Sequence, residues 1–136
     1  MHHVAKFAAA AGVLAVVLAA APRHAYAQEK SAGFTVDEAA AKKGKSLFTS
    51  RGCNGCHTIG KGKMAGPDLA NVTDRRSVEW LTSWLKNPPA MMETDETAKA
   101  LLAEFKGMKM PNLNLKDDEI NALLNHIALE SKKAKK

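Results

Sequence analysis

The sequence predicts an all-α fold, and three observations predict it. No stretch alternates apolar and polar residues with β-branched side chains over a strand's length. Four segments place large apolar residues at helical spacing, and the segment after the first of them, 52–66, holds five glycines, a composition for loop and short helix. At 136 residues the chain has room for one ordinary domain, which excludes large enzyme architectures.

Residues 7–21 carry no charge and are almost entirely Ala, Val, Leu and Gly. Lys6 and two histidines precede them and Ala25-Tyr26-Ala27 follows, the pattern of a secretory signal with its small-residue cleavage site. As a helix, fifteen residues reach about 22 Å, short of the roughly 30 Å hydrocarbon core, so export with cleavage after Ala27 is expected rather than a membrane anchor. The expected domain is therefore 28–136, ending in a basic tail at 132–136. Cleavage removes Lys6, Arg23 and no acid, leaving 18 basic against 14 acidic residues, a formal charge of +4. Nucleic acid is not implied for an exported protein of this charge.

After a polar lead at 28–33, Thr35 and Glu38 have the spacing of a capping box. A first helix is predicted from there to about Ser50, with Leu47 and Phe48 as its large apolar residues. Gly44, one turn before Phe48, leaves room for another helix to come close. A second helix is predicted over 77–86, with Trp80, Leu81, Trp84 and Leu85 on one face, stopped by Pro88 and Pro89. A third fits 95–105, where Ala98, Leu101, Leu102 and Phe105 recur at helical spacing. The last fits 117–131, striped by Ile120, Leu123, Leu124 and Ile127. Its acidic start (Asp117, Asp118, Glu119) and basic end (Lys132, Lys133, Lys135, Lys136) both suit the helix macrodipole. Four short helices with few large apolar residues make a thin core, so another group is expected at the centre.

Cys53-Asn54-Gly55-Cys56-His57 is the attachment pattern for c-type haem. In a helical turn, cysteines at i and i+3 project to one side, so both sulfurs reach the vinyl groups of one porphyrin while His57 meets the iron from the same face. Three other chemistries use cysteines at this spacing. An exported protein with an even cysteine count can form a disulfide. A thioredoxin-like redox pair needs strands alternating with helices, which are missing. A zinc site lacks a second clustered pair, and His126 is a poor fourth ligand. For the far side of the iron the candidates are the methionines and His126. Met110 stands apart because Pro111 follows it and enforces an extended approach between the third and last helices; Met108 is the rival, and Met91 and Met92 a weaker pair. His126, on the last helix beside Ile127, reads as a packing residue.

The domain resembles a small monohaem class I cytochrome c over nearly its whole length. The resemblance rests on Gly44-Lys45-Ser46-Leu47-Phe48, Cys53 to His57, Gly66-Pro67-Asp68-Leu69, Trp84-Leu85-Lys86-Asn87-Pro88, and Met110-Pro111-Asn112 with Leu115 and Glu119-Ile120, in that order. It implies the cytochrome c fold, about four helices and Gly-rich loops around one covalent haem c per chain. It further implies Cys53 and Cys56 as attachment points and His57 and Met110 as iron ligands. Pro67 would offer its carbonyl to the imidazole, Trp84 would line the haem near the Met, Trp80 would reach a propionate, and Gly44 and Phe48 would pack on the last helix around Leu123, Leu124 and Ile127. Two departures from the family pattern stand out: Lys116 replaces a usual cap residue, and His126 an aromatic.

A His/Met pair fills both axial positions, so the resemblance implies a periplasmic electron carrier of the bacterial cell envelope rather than an enzyme, shuttling electrons between respiratory partners. Acidic partners would meet a basic rim of Lys61, Lys63, Lys106 and Lys109, and the Lys-rich tail would touch anionic membrane weakly. The alternatives are a haem-based ligand sensor or small peroxidase with displaceable Met110, and a redox-inert domain with a Cys53–Cys56 disulfide.

Overall fold

The computed structural model describes residues 34–134; the expected signal segment and the last two lysines lie outside them. Among the described residues there are six α-helices, one 3₁₀ turn and no strands. The helices are α1 Glu38–Ser50, α2 Val72–Arg75, α3 Val78–Lys86, α4 Pro88–Thr94, α5 Glu96–Glu104 and α6 Asp117–Ala134, with the 3₁₀ turn at Cys53–Gly55. None is long and apolar enough to cross a membrane.

The four expected helices are α1, α3, α5 and α6, and two more lie between them. Pro88 and Pro89 do end α3, but Pro88 also opens α4. Asn87 accepts the Ala90 N–H at 3.3 Å, and proline is preset for the first helical turn. The four-residue α2 is too short to show a periodicity.

The start of α1 differs from the capping box. Asp37, not Thr35, is the cap: its carboxylate accepts the Ala39 and Ala40 N–H groups at 2.8 and 3.1 Å. Its own N–H donates to Asn125 Oδ1 on α6 at 2.7 Å, a tertiary contact that stands in for the reciprocal bond of a capping box, because the N3 residue counted from Asp37 is Ala40. At α6 the missing cap is made good by Glu119, which reaches back to the Lys116 N–H at 2.9 Å and is held from its other oxygen by Arg51 at 2.5 Å. Lys43 pairs with Asp118 and Lys86 with Asp117, so α1 and α3 both lend cations to the acidic first turn of α6.

The centre of the fold is the crossing of α1 and α6. A Cβ placed on Gly44 would lie 1.9 Å from the Ala122 carbonyl oxygen and 2.8 Å from the His126 Cβ, so the two backbones touch with no side chain between them. Ala41 and Ala122 are buried at this crossing's helices, and Phe48 meets His126 edge-on at 5.5 Å between ring centroids. Gly44 therefore packs on Ala122 and His126, while Phe48 joins Leu81, Leu115, Ile120, Leu123, Leu124 and Ile127 in the core cluster.

His126 is thus a buried packing residue. Burial pushes its pKa down; Glu130 opposes this, and Lys45 and Lys133 add to it, so the ring stays neutral at pH 7.

Gly44→Ala is expected to push the two helices apart and destabilise the protein by roughly 3 kcal/mol, the upper range for overpacking against backbone. Ala substituted at exposed Lys42 should leave stability nearly unchanged. Chemical denaturation of the two holoproteins, compared by midpoint, checks this.

Candidate functional site

The Cys-rich segment leaves α1 through Gly52, whose φ of 73° turns the chain sharply. In the 3₁₀ turn the Cys53 carbonyl then accepts the N–H of Cys56 at 3.2 Å and of His57 at 2.9 Å. Both thiols are free, Cys53 half-buried and Cys56 exposed, and both line one cavity together with His57. No cluster of three or more His, Cys, Asp or Glu able to hold a metal occurs among the described residues.

The imidazole of His57 is fixed from two sides. Its Nδ1 lies 2.9 Å from the Pro67 carbonyl oxygen. A carbonyl only accepts, so the proton sits on Nδ1 and the Nε2 lone pair is left free. Gly66 makes the space: a Cβ there would come within 2.5 Å of the ring Cε1 and 2.8 Å of Nδ1. Pro67 makes the expected contact, and the unexpected contributor is Gly66, whose signal in the sequence is the Gly-Pro step itself, glycine where a ring must lie against the backbone.

Asp68, the next residue, organises the loop that carries these groups. Its carboxylate accepts N–H groups from Gly60 at 2.8 Å, Gly62 at 2.5 Å and Ala70 at 2.8 Å. Partial burial pushes its pKa up, but the donors on Gly60, Ala70 and Gly62 outweigh it and hold the carboxyl at about 2, below its ordinary 3.8. Two backbone hydrogen bonds, Gly66 N–H to Cys56 O at 2.9 Å and Leu69 N–H to Thr58 O at 2.8 Å, complete the tie between the Cys turn and the Pro67 strap.

On the other side, α5 ends at Phe105, and Lys106 and Gly107 reverse the chain with φ of 54° and 81°. The segment beyond has no regular structure until α6, as Pro111 led us to expect. Met110 is half-buried and lines the cavity, and the Trp84 indole N–H donates to its Sδ at 3.2 Å. Met108 also borders the cavity but is 59% exposed, and Met64 is 50% exposed. Met92 is buried in the cavity wall. His126 is outside the lining. Of the candidates for the far side, Met110 alone combines a place in the lining with a donor fixing its sulfur.

The cavity has a volume of about 270 Å³ and a mainly apolar wall built from Phe48, Leu69, Val72, Leu81, Leu85, Leu101, Leu102, Phe105, Leu123, Leu124 and Ile127. It is bounded by Cys53, Cys56, His57 and Pro67 and by Trp84, Met110 and Pro111. Trp80 lies in its wall, parallel to Trp84 at 6° with 5.6 Å between centroids. Arg76 sits 5.6 Å from the Trp80 ring centroid. The Trp80 indole N–H is buried with no acceptor among the described residues. A buried donor without a partner costs about 1–3 kcal/mol, so this one marks where a ligand's acceptor belongs. The seven residues of the sequence reading, Cys53, Cys56, His57, Pro67, Trp80, Trp84 and Met110, all line this one cavity.

Among the expected rim lysines, Lys109 borders the cavity and Lys61 and Lys106 are exposed. Lys63 is engaged: it pairs with Glu104 and lies 5.8 Å from the Phe105 ring centroid. Its charge is therefore largely offset.

Residues 41–129 match the family model for cytochrome c, and the chain belongs to the cytochrome c family. Its fold is that of a cytochrome c from Rhodothermus marinus, with a TM-score of 0.68 and 28% identity over 76% of this chain and 86% of that one. A cytochrome c domain of a Pseudomonas putida protein is 36% identical, with a TM-score of 0.59, over 66% of this chain and 89% of that one. Cytochrome c oxidase subunit 2 of Alkalihalophilus pseudofirmus is 26% identical over 92 aligned positions, covering 54% of this chain. The chain spans only 27% of that relative's length. Family membership implies a haem with its iron and, as the family's general work, electron transfer.

Because the donors around Asp68 depress its pKa, the stabilisation they give is complete above about pH 4 and is lost as pH falls toward 2. Asp68→Asn, which keeps one acceptor, is expected to lower stability at pH 7 and to flatten the acid limb between pH 4 and 2. Urea midpoints measured across that range for both proteins test it.

Proposed function

We propose that the protein is an exported, periplasmic carrier of single electrons, with one haem c held through thioethers from Cys53 and Cys56 and ligated by His57 Nε2 and Met110 Sδ. The observation that carries this reading is the shared cavity. One apolar slot is bounded by a Cys pair, by an imidazole whose Nδ1 is already committed, and by a thioether held by an indole N–H.

The donor set fits the group. Nitrogen and thioether sulfur are the axial pair of high-potential electron-transfer haems, and the unpartnered Trp80 N–H suits a carboxylate such as a propionate. When bound, the haem supplies a one-electron ferric/ferrous couple. The chain does the rest. Pro67 orients His57, Gly66 admits the ring, and Trp84 holds the Met110 sulfur. Leu81, Leu123 and Leu124 keep the interior dry, while exposed Cys56 and Met108 mark the side nearest solvent. His57 and Met110 would both hold the iron of a bound haem and leave it no place for substrate, which favours a carrier over a sensor, a peroxidase or another enzyme.

The similarity to an oxidase subunit supports a respiratory partner, and the net positive charge supports an acidic one. Export rests on the 1–27 segment, and the Lys-rich end suits weak contact with an anionic membrane surface.

Absorbance of the purified holoprotein in both oxidation states tests attachment and ligation together. Met110→Ala is expected to lower the reduction potential and let the ferrous protein bind carbon monoxide at neutral pH, whereas the native protein and Met108→Ala resist it. Fast binding by the native protein would support the sensor or peroxidase reading instead. Electron exchange with an acidic redox protein should slow as ionic strength rises, and Lys61, Lys106 and Lys109 changed together to Gln should largely remove that dependence. Stopped-flow rates over a salt series measure it.

A further inference from the structure

We infer that the Trp80–Trp84 pair dictates which of the two sulfur lone pairs Met110 offers to the iron, so that the ligand is held in a single configuration. This inference rests on Met110 being the ligand, as proposed above.

A thioether sulfur has two lone pairs, and donating either one to a metal makes the sulfur a stereocentre. With nothing to distinguish them, the two configurations interchange by inversion at sulfur. Here the Trp84 Nε1–H lies 3.2 Å from Met110 Sδ, so one lone pair is already engaged and only the other is free to coordinate. Inversion would break that hydrogen bond. The contact counts for more in a dry cavity wall than it would in water.

The direction of the Trp84 N–H depends in turn on the plane of its indole. Trp80, one helical turn earlier on α3, lies parallel to it at 6° and 5.6 Å. Offset stacking of this kind resists tilting of either ring. Arg76 over Trp80 steadies the outer indole. Trp84 is thus the residue that contacts the ligand, and Trp80 is a positioning residue acting through it.

The ferric holoprotein, observed by proton NMR, tests this. Unpaired spin in the porphyrin follows the direction of the sulfur lone pair, so one fixed configuration spreads the haem methyl resonances widely, while exchange between two compresses them. The native protein is expected to show a wide spread that persists on warming and cooling. Trp84→Phe should lose that spread and broaden on cooling, while keeping the shifted methyl resonance of an iron-bound methionine. Trp80→Ala should move the pattern in the same direction, and Trp80→Phe, which keeps a stackable ring, should restore it. An unchanged spread in Trp84→Phe overturns the inference while leaving Met110 as ligand, and so does outright loss of the bound-methionine signal in that variant. Absence of that signal from the native protein, or its survival in Met110→Ala, removes the ligand assignment itself.

Discussion

The contact of α1 with α6 at Gly44 is the constraint from which the rest of the molecule is laid out. With no side chain between the Gly44 backbone and the Ala122 carbonyl, the axes approach as closely as two helices can. That approach sends the end of α1, and the Cys turn that follows it directly, to the edge of the core formed by Leu123, Leu124 and Ile127. Asn125 takes the Asp37 N–H and Glu119 takes Arg51, so α6 grips α1 near both of its ends. The cavity is what remains between this pair and the arc of α3 and α5. Its floor is therefore helix, while much of its rim is loop.

The ligand-bearing loops gain their order from different sources. On the histidine side a single carboxylate, Asp68, gathers three backbone N–H groups from the loop that carries Gly60, Gly62 and Ala70. On the methionine side the order comes from aromatic rings, since Trp84 reaches the sulfur from a helix and the segment itself makes no regular structure. Polar and aromatic fastening thus divide the work that a larger protein would assign to a hydrophobic core.

Much of this was legible in the residues. The helices striped by Trp80 to Leu85, Leu101 to Phe105 and Ile120 to Ile127 announced themselves because their packing partners lie on one face, and Gly44 announced a close crossing. The cavity residues were legible because a covalent attachment pattern and a Met-Pro step leave little freedom. Other features were not, for physical reasons. The true cap of α1 is set by which residue meets Asn125, 88 positions away, and local spacing carries no trace of that. The short α2 and α4 are too brief for periodicity, and proline reads equally as an end or a beginning. The neutralisation of Lys63 depends on Glu104, 41 residues distant, so its charge looked available when only neighbours were visible.

That last pairing has a mechanical consequence. Lys63 belongs to the loop beyond His57, and Glu104 and Phe105 close the helix that leads to Met110, so a hasp joins the two jaws of the cleft at their outer edge. A fastening of that kind at the surface is weakened by whatever screens charge there. Dissolved salt therefore acts on this outer edge first, on a contact worth about 1 kcal/mol or less, while the apolar packing beneath it is left untouched.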